Sequence, residues 1–211
     1  MGRIEILCSY IDDCQSFADV GCDHGYCTQY ALKSGRCKSA IIADVSAKCL
    51  AKAEKLLSEY IKSGVCRSVC CDGLTDIPEQ TEQVLIAGMG GEEIIKILSQ
   101  GFIPRKFILQ PMKNAPKLRE FLLERGCKIT ADDIFRDDKF YFVIKGERSG
   151  GTSAYSQSQL FFGRDSLNNP VLREYSQAEL EKRQRHLLSC TDEVARKIIK
   201  QEINLLTEVL K

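Results

Sequence analysis

Two acids, two glycines and a histidine stand together in ADVGCDHGY, residues 18–26. An apolar run leads into this stretch and an amphipathic one leaves it, so it reads as a strand turning into a helix. Glycines at such a turn let a ligand approach backbone amides at the helix N-terminus. A dinucleotide-binding turn has the same geometry, but the second glycine of its fingerprint is replaced by Asp23. A carboxylate aimed at a pyrophosphate repels it, which favours a ligand bearing an amine or a sulfonium.

Further acids follow at the spacing such a ligand needs. Asp44 ends the next apolar run, 23 positions after Gly21, where an acid accepts hydrogen bonds from ribose hydroxyls. Asp72, followed by Gly73, ends the third run and is placed to accept from an adenine amino group. The fourth run leads into AGMGG at 87–91, where Ala87, Gly88 and Gly90 leave room for a planar base and Met89 supplies an apolar wall. A tight strand-to-helix turn without function would also explain these glycines. Gln110 and Pro111 close the fifth run in the same plane, as substrate contacts or as structural residues. His24 is weighed between a direct catalytic role and hydrogen bonding that shapes the loop.

These residues need a scaffold that brings strand ends together. Between Ser16 and Glu147 apolar runs alternate with amphipathic stretches, the pattern of a mainly parallel sheet with helices on both faces. Strands are expected at 17–21, 40–45, 68–71, 83–88, 106–111 and 139–147. Another near 129–135 pairs with the last around the polar turn RDDK. Helices are expected over Tyr26–Ser34, Ala47–Ser63, Glu92–Gln100 and Ala115–Arg125, with Ser46 capping the second. Ile4, Leu7, Cys8 and Ile11 predict a short N-terminal helix lying over the domain. The catalytic unit spans 1–150, RSGGTSAYSQSQ opens a linker over 151–168, and 169–211 forms a coiled-coil-like helical hairpin turning at SCTD.

Composition excludes several classes. The chain has 211 residues and a net charge of +1, too little for a general polyanion binder, so any nucleic-acid site is a local patch. The sequence offers no membrane span and no convincing metal ligand set. Its eleven cysteines are scattered through apolar stretches without an export signal, which points to a reducing cytoplasm.

DVGCDHGY, Asp44, DGL at 72–74, IAGMGG at 86–91 and LQP at 109–111 together resemble the bacterial tRNA (adenine-N1)-methyltransferases that modify adenine 22 of the D-arm, the TrmK family. The order of parts is similar too, with a helical hairpin after the catalytic domain. Family members commonly carry Glu at the Asp44 position and Ala at the Gly25 position. The resemblance implies a Rossmann-like class I methyltransferase using S-adenosylmethionine and acting on tRNA. It implies that Asp19, Gly21, Asp23, His24, Asp44, Asp72 and Gly73 line the cofactor pocket, and that AGMGG borders the target base.

Adenine N1 has an in-plane lone pair and needs positioning and charge compensation more than a strong base. Asp23 is therefore the first catalytic candidate, followed by His24 and the Met89 and Gly90 backbone. For tRNA phosphates, Lys113, Lys117 and Arg119 lie nearest the expected pocket, and Arg164, Arg173, Lys182, Arg183, Arg185, Arg196, Lys197 and Lys200 lie near the mouth and along the hairpin, where interleaved acids also fit an ordinary solvated helical face. The hairpin binds tRNA or joins a weak homodimer; a monomer is the other expectation. Competing readings are a nicotinamide dehydrogenase, disfavoured by Asp23, a methyltransferase with another acceptor, and a non-catalytic RNA-binding module.

Overall fold

A computed structural model describes residues 2–150 and 154–211. Short β-rich runs separated by amphipathic stretches bury their apolar residues by forming one seven-stranded sheet, ordered β3-β2-β1-β4-β5-β7-β6. Strands β1 (Cys14–Val20), β2 (Cys37–Asp44), β3 (Cys66–Cys70), β4 (Gln83–Met89) and β5 (Lys106–Pro111) are parallel. The hairpin β6 (Cys127–Arg136) and β7 (Phe140–Arg148) is antiparallel and joins the sheet through β7 against β5. The chain winds outward from β1 to β3 and then returns to place β4 on the other side of β1. That reversal opens a crevice at the carboxyl ends of β1 and β4, where open α/β sheets bind ligands.

Alternation along the strands sends side chains to two cores. Phe17, Ile42 and Leu85 face α1 (Arg3–Ser9), α2 (Tyr26–Lys33) and α3 (Ala47–Leu56). Ala18, Val84, Ile86 and Leu109 face α5 (Gly91–Gln100) and α6 (Ala115–Glu124). The helix expected over Ala47–Ser63 is interrupted at Leu57, and α4 (Ser58–Lys62) follows. Leu57 is fully buried, and its amide still bonds to the Ala53 carbonyl. Ser46 caps α3 as expected, accepting from the Cys49 N–H at 3.3 Å.

The expected linker requires correction. Its residues 151–153 lie outside the described residues, but Gln157–Phe162 forms α7 and Asp165–Asn168 a 3-10 turn. Ser156 caps α7 with a reciprocal bond to Gln159, and Phe162 is fully buried with Ile134, Leu172 and Leu206. The Gly- and Ser-rich composition concealed this element because its apolar part is a single Leu-Phe-Phe run. Beyond it, α8 (Val171–Ser189) and α9 (Glu193–Leu210) form the expected antiparallel hairpin. Arg183 Nε bonds to Glu202 at 2.5 Å, Arg173 reaches the Leu210 carbonyl at 2.9 Å, and Asp192 caps α9.

Candidate cofactor cavity and active site

The DVGCDHGY turn takes its shape from backbone conformations that side chains resist. Gly21 and Gly25 have φ of +73° and +74°, and Asp23 itself has φ of +45°. A Cβ on Gly21 would stand 2.1 Å from the Met89 methyl carbon, so the glycine lets the AGMGG segment lie against the β1 turn. Gly88 has φ of +79° at a bulge between β4 and β5. The loop after β5 holds this segment in place: Met112 N–H donates to the Met89 carbonyl, and Gly91 N–H to Lys113, both at 2.8 Å. A Cβ on Gly91 would meet the Asn114 carbonyl at 2.5 Å, so Gly91 serves close loop packing.

A cavity of about 480 Å³ opens at the switch point, within the usual range for small-molecule sites. Asp19, Gly21, Asp23, His24, Asp44, Ala87, Gly88 and Met89 of the sequence reading all line it. Asp19 is buried, and its Oδ2 accepts from Thr28 Oγ1 at 2.9 Å. Burial pushes its carboxyl up to about 7; the Thr28 bonds oppose that rise and the Asp44 charge adds to it. Asp23 accepts from His24 Nδ1 at 2.8 Å and from Lys52 Nζ at 3.2 Å. Desolvation works to raise the Asp23 carboxyl, but these two bonds outweigh it and hold the group below its ordinary value. Asp44 Oδ1 accepts the Ser46 N–H at 2.8 Å, which orients the carboxylate at the end of β2. The His24 ring stacks on Tyr26, with centroids 5.5 Å apart.

Other expected residues stand elsewhere. Asp72 is exposed beyond β3, and neither it nor Gly73 lines the cavity; Gly73, with φ of +62°, packs on Ile97. Gln110 is fully buried and donates to the Pro111 carbonyl at 3.2 Å, so it supports the loop from below. Pro111 borders a second concavity, of about 550 Å³, between the 111–116 loop and the hairpin. Lys113 is exposed over Gly90, and Lys117 is exposed but bonded to Glu92 at 2.6 Å.

Arg119 corrects the sequence reading. It is fully buried on α6, with Nε 2.9 Å from both Asp132 oxygens and Nη1 bonded to the carbonyls of Leu160 and Phe161. It ties α6 to β6 and α7 and has no exposed surface for a phosphate. Its helical position beside Leu118 and Leu122, both buried, was the available sign.

The cavity also takes residues that sequence reasoning did not assign: Arg3, Ile4 and Leu7 of α1, Cys22, Tyr26, Leu85 and Met112. The periodicity of α1 placed it over the domain but contained nothing to say over which end of the sheet. Met112 borders both the cavity and the concavity beside the hairpin, so the two spaces adjoin at one side chain.

Residues 1–144, which hold the whole cavity, match a family model described as a methyltransferase domain. The chain belongs to that methyltransferase family. A Bacillus subtilis tRNA (adenine(22)-N(1))-methyltransferase is 28% identical over 205 residues, covering 93% of this chain and 84% of that protein. A Mycoplasma pneumoniae protein described as a candidate tRNA methyltransferase is 29% identical over 158 residues, covering 73% and 74%. A solved Streptococcus pneumoniae structure, described as a candidate tRNA (m1A22) methyltransferase in complex with S-adenosyl-L-methionine, is 28% identical. It superposes with a TM-score of 0.86 over 99% of this chain and 98% of that one. The similarity of this methyltransferase to TrmK proteins thus includes the helical hairpin as well as the sheet.

Proposed function

We propose that this methyltransferase transfers the methyl group of S-adenosylmethionine to N1 of adenine 22 in the D-arm of tRNA. The observation that supports this most directly is the acid-lined cavity at the β1/β4 switch point, bordered by the AGMGG segment, in a chain similar along its length to tRNA (adenine(22)-N(1))-methyltransferases.

The donor set fits this cofactor. Asp44 at the end of β2 faces the place of a ribose, and Asp19 and Asp23 offer negative charge to an ammonium and a sulfonium. When bound, the cofactor supplies an electrophilic methyl on a sulfonium. The chain's residues then have three tasks. Met89, anchored through its carbonyl to Met112, gives the acceptor an apolar wall against the Gly21 turn. Asp23, held ionised by His24 and Lys52, compensates the positive charge that the adenine ring acquires as N1 is methylated. His24 keeps that carboxylate oriented while stacked on Tyr26, and no general base is required.

N1 lies on the Watson–Crick edge of adenine, so a paired target base must be swung out to reach the cavity. The concavity beside the hairpin adjoins the cavity at Met112 and presents Lys113 and Lys139, while Lys182 and Arg183 are paired with Glu179 and Glu202; we take it as the approach for the tRNA backbone. Arg185, Lys197 and Lys200 are exposed on α8 and α9, while Arg196 is committed to the Leu187 and Cys190 carbonyls. We assign the activity to the cytoplasm, to a monomer or a weak homodimer, with the hairpin binding tRNA or joining two copies.

Labelled S-adenosylmethionine, unmodified tRNA and nucleoside mass spectrometry with position mapping test this. N1-methyladenosine at position 22, lost in a folded Asp23→Ala variant, is the expected result. Cofactor binding without transfer to any tRNA would refute the acceptor assignment.

A further inference from the structure

Exposed aromatic surface is concentrated on one helix. The chain has seven tyrosines, nine phenylalanines and no tryptophan. Among the described residues no phenylalanine is exposed, and the exposed tyrosines are Tyr26, at 50%, and Tyr30, at 39%. Both lie on α2, four positions apart, so they share one face, and the exposed Lys33 follows on that face in the last turn. The opposite face, with Cys27, Thr28, Ala31 and Leu32, is buried. No acid interrupts the stripe, since α2 contains none. Among the described residues, none of the ion pairs includes Lys33.

The stripe begins at the cavity, because Tyr26 is part of its lining. From there to Lys33 the helix rises roughly 10 Å, about the length of three stacked nucleotides. The Tyr26 ring lies within 5° of parallel to His24, which sets its plane while leaving half of the residue open. Met112 is the other exposed large apolar residue of the lining, and it borders the hairpin concavity. The cavity therefore opens between two surfaces, α2 on the β1/β2 side and the hairpin concavity past β5. Tyrosine faces followed by an unpaired ammonium suit a single RNA strand, whose bases stack on the rings and whose phosphates meet the cation.

We propose that the exposed stripe of α2 is a track for the RNA strand flanking the target adenine, with Tyr30 stacking a neighbouring base and Lys33 contacting a phosphate. This rests on the tRNA reading of the acceptor and adds to it a contact surface on the side of the cavity away from the hairpin. Neither Tyr30 nor Lys33 lines the cavity, so their contribution is separable from cofactor binding.

Filter binding of the full chain to unmodified tRNA, over a range of salt concentrations, tests this. Tyr30→Ala is expected to weaken tRNA binding about 5- to 100-fold at unchanged salt dependence, whereas Tyr30→Phe, which keeps the ring, stays within about twofold. Lys33→Ala should lower the salt dependence by about one phosphate contact. Calorimetry should show native affinity for S-adenosylmethionine in all three variants. Native tRNA affinity in both Tyr30→Ala and Lys33→Ala would overturn the proposal, as would equal losses in Tyr30→Ala and Tyr30→Phe. Altered sedimentation of free Tyr30→Ala with tRNA binding intact would make the stripe a contact between copies and overturn it too. If the native chain bound S-adenosylmethionine but neither bound nor methylated tRNA, the tRNA reading itself would fail and the track with it. That result is distinct from native tRNA binding that the variants leave unchanged.

Discussion

Asp19→Asn should make the protein more stable at alkaline pH and poorer at holding its cofactor. Asp19 is buried on β1, and its carboxyl rises from 3.8 to about 7 in the folded chain, chiefly through desolvation. A carboxyl raised in this way stabilises the fold only while protonated. Between those two values the folded chain retains a proton that the unfolded chain releases, so stability falls as pH rises through this window. About three pH units correspond to roughly 4 kcal/mol, of which about 2–3 kcal/mol is lost between pH 5 and pH 8. Asn keeps an acceptor for Thr28 and removes the charge. Urea unfolding of both proteins at pH 5 and pH 8 should therefore show a native decline that Asp19→Asn lacks. Calorimetry should show S-adenosylmethionine binding to the native chain tightening as pH rises through about 7, because a cationic ligand favours the ionised carboxylate. In the variant, affinity should fall about 10-fold or more and lose that pH dependence. Parallel pH–stability curves for the two proteins would refute the argument, since they would mean that Asp19 ionises without cost in the folded state.

Other substitutions test separate contacts. Arg119→Ala leaves the buried Asp132 carboxylate unpaired and should cost about 3–5 kcal/mol in urea unfolding; adding Asp132→Leu should recover much of it. Gly21→Ala combines a left-handed backbone penalty of about 1–2 kcal/mol with displacement of the Met89 methyl. A fall in Tm together with weaker cofactor binding is expected. Lys113→Ala should reduce the salt dependence of tRNA binding in filter assays by about one phosphate contact, and Lys117→Ala by less, because Glu92 already holds that ammonium. Phe162→Ala should cost about 3–5 kcal/mol, a loss that a flexible linker would not show in a thermal melt.

The strand ends were legible in the sequence because their chemistry is local. A turn that forces Gly21 and Gly25 into positive φ, with Asp19 two residues before it, is written in adjacent positions, as is Asp44 at the end of β2. The β6–β7 hairpin was legible for the same reason, its two strands flanking one polar turn. Arg119 and the linker were misread for the opposite reason. A basic residue just past LQP suggests a phosphate contact until Asp132, on a different strand, is seen to bury it. Ser- and Gly-rich residues suggest a loose segment until Phe162 is seen to enter the core beneath α8 and α9.

The sequence by itself determined the alternating elements, the strand ends bearing Asp19 and Asp44 and the helical hairpin, since each depends on periodicity or on neighbours a few positions apart. Only the tertiary structure decided which end of the sheet α1 covers, that Met89 lies over Gly21, and that the cavity adjoins the hairpin concavity at Met112. Those relations join residues far apart in the chain. Their distances follow from how whole elements pack, which no local spacing records.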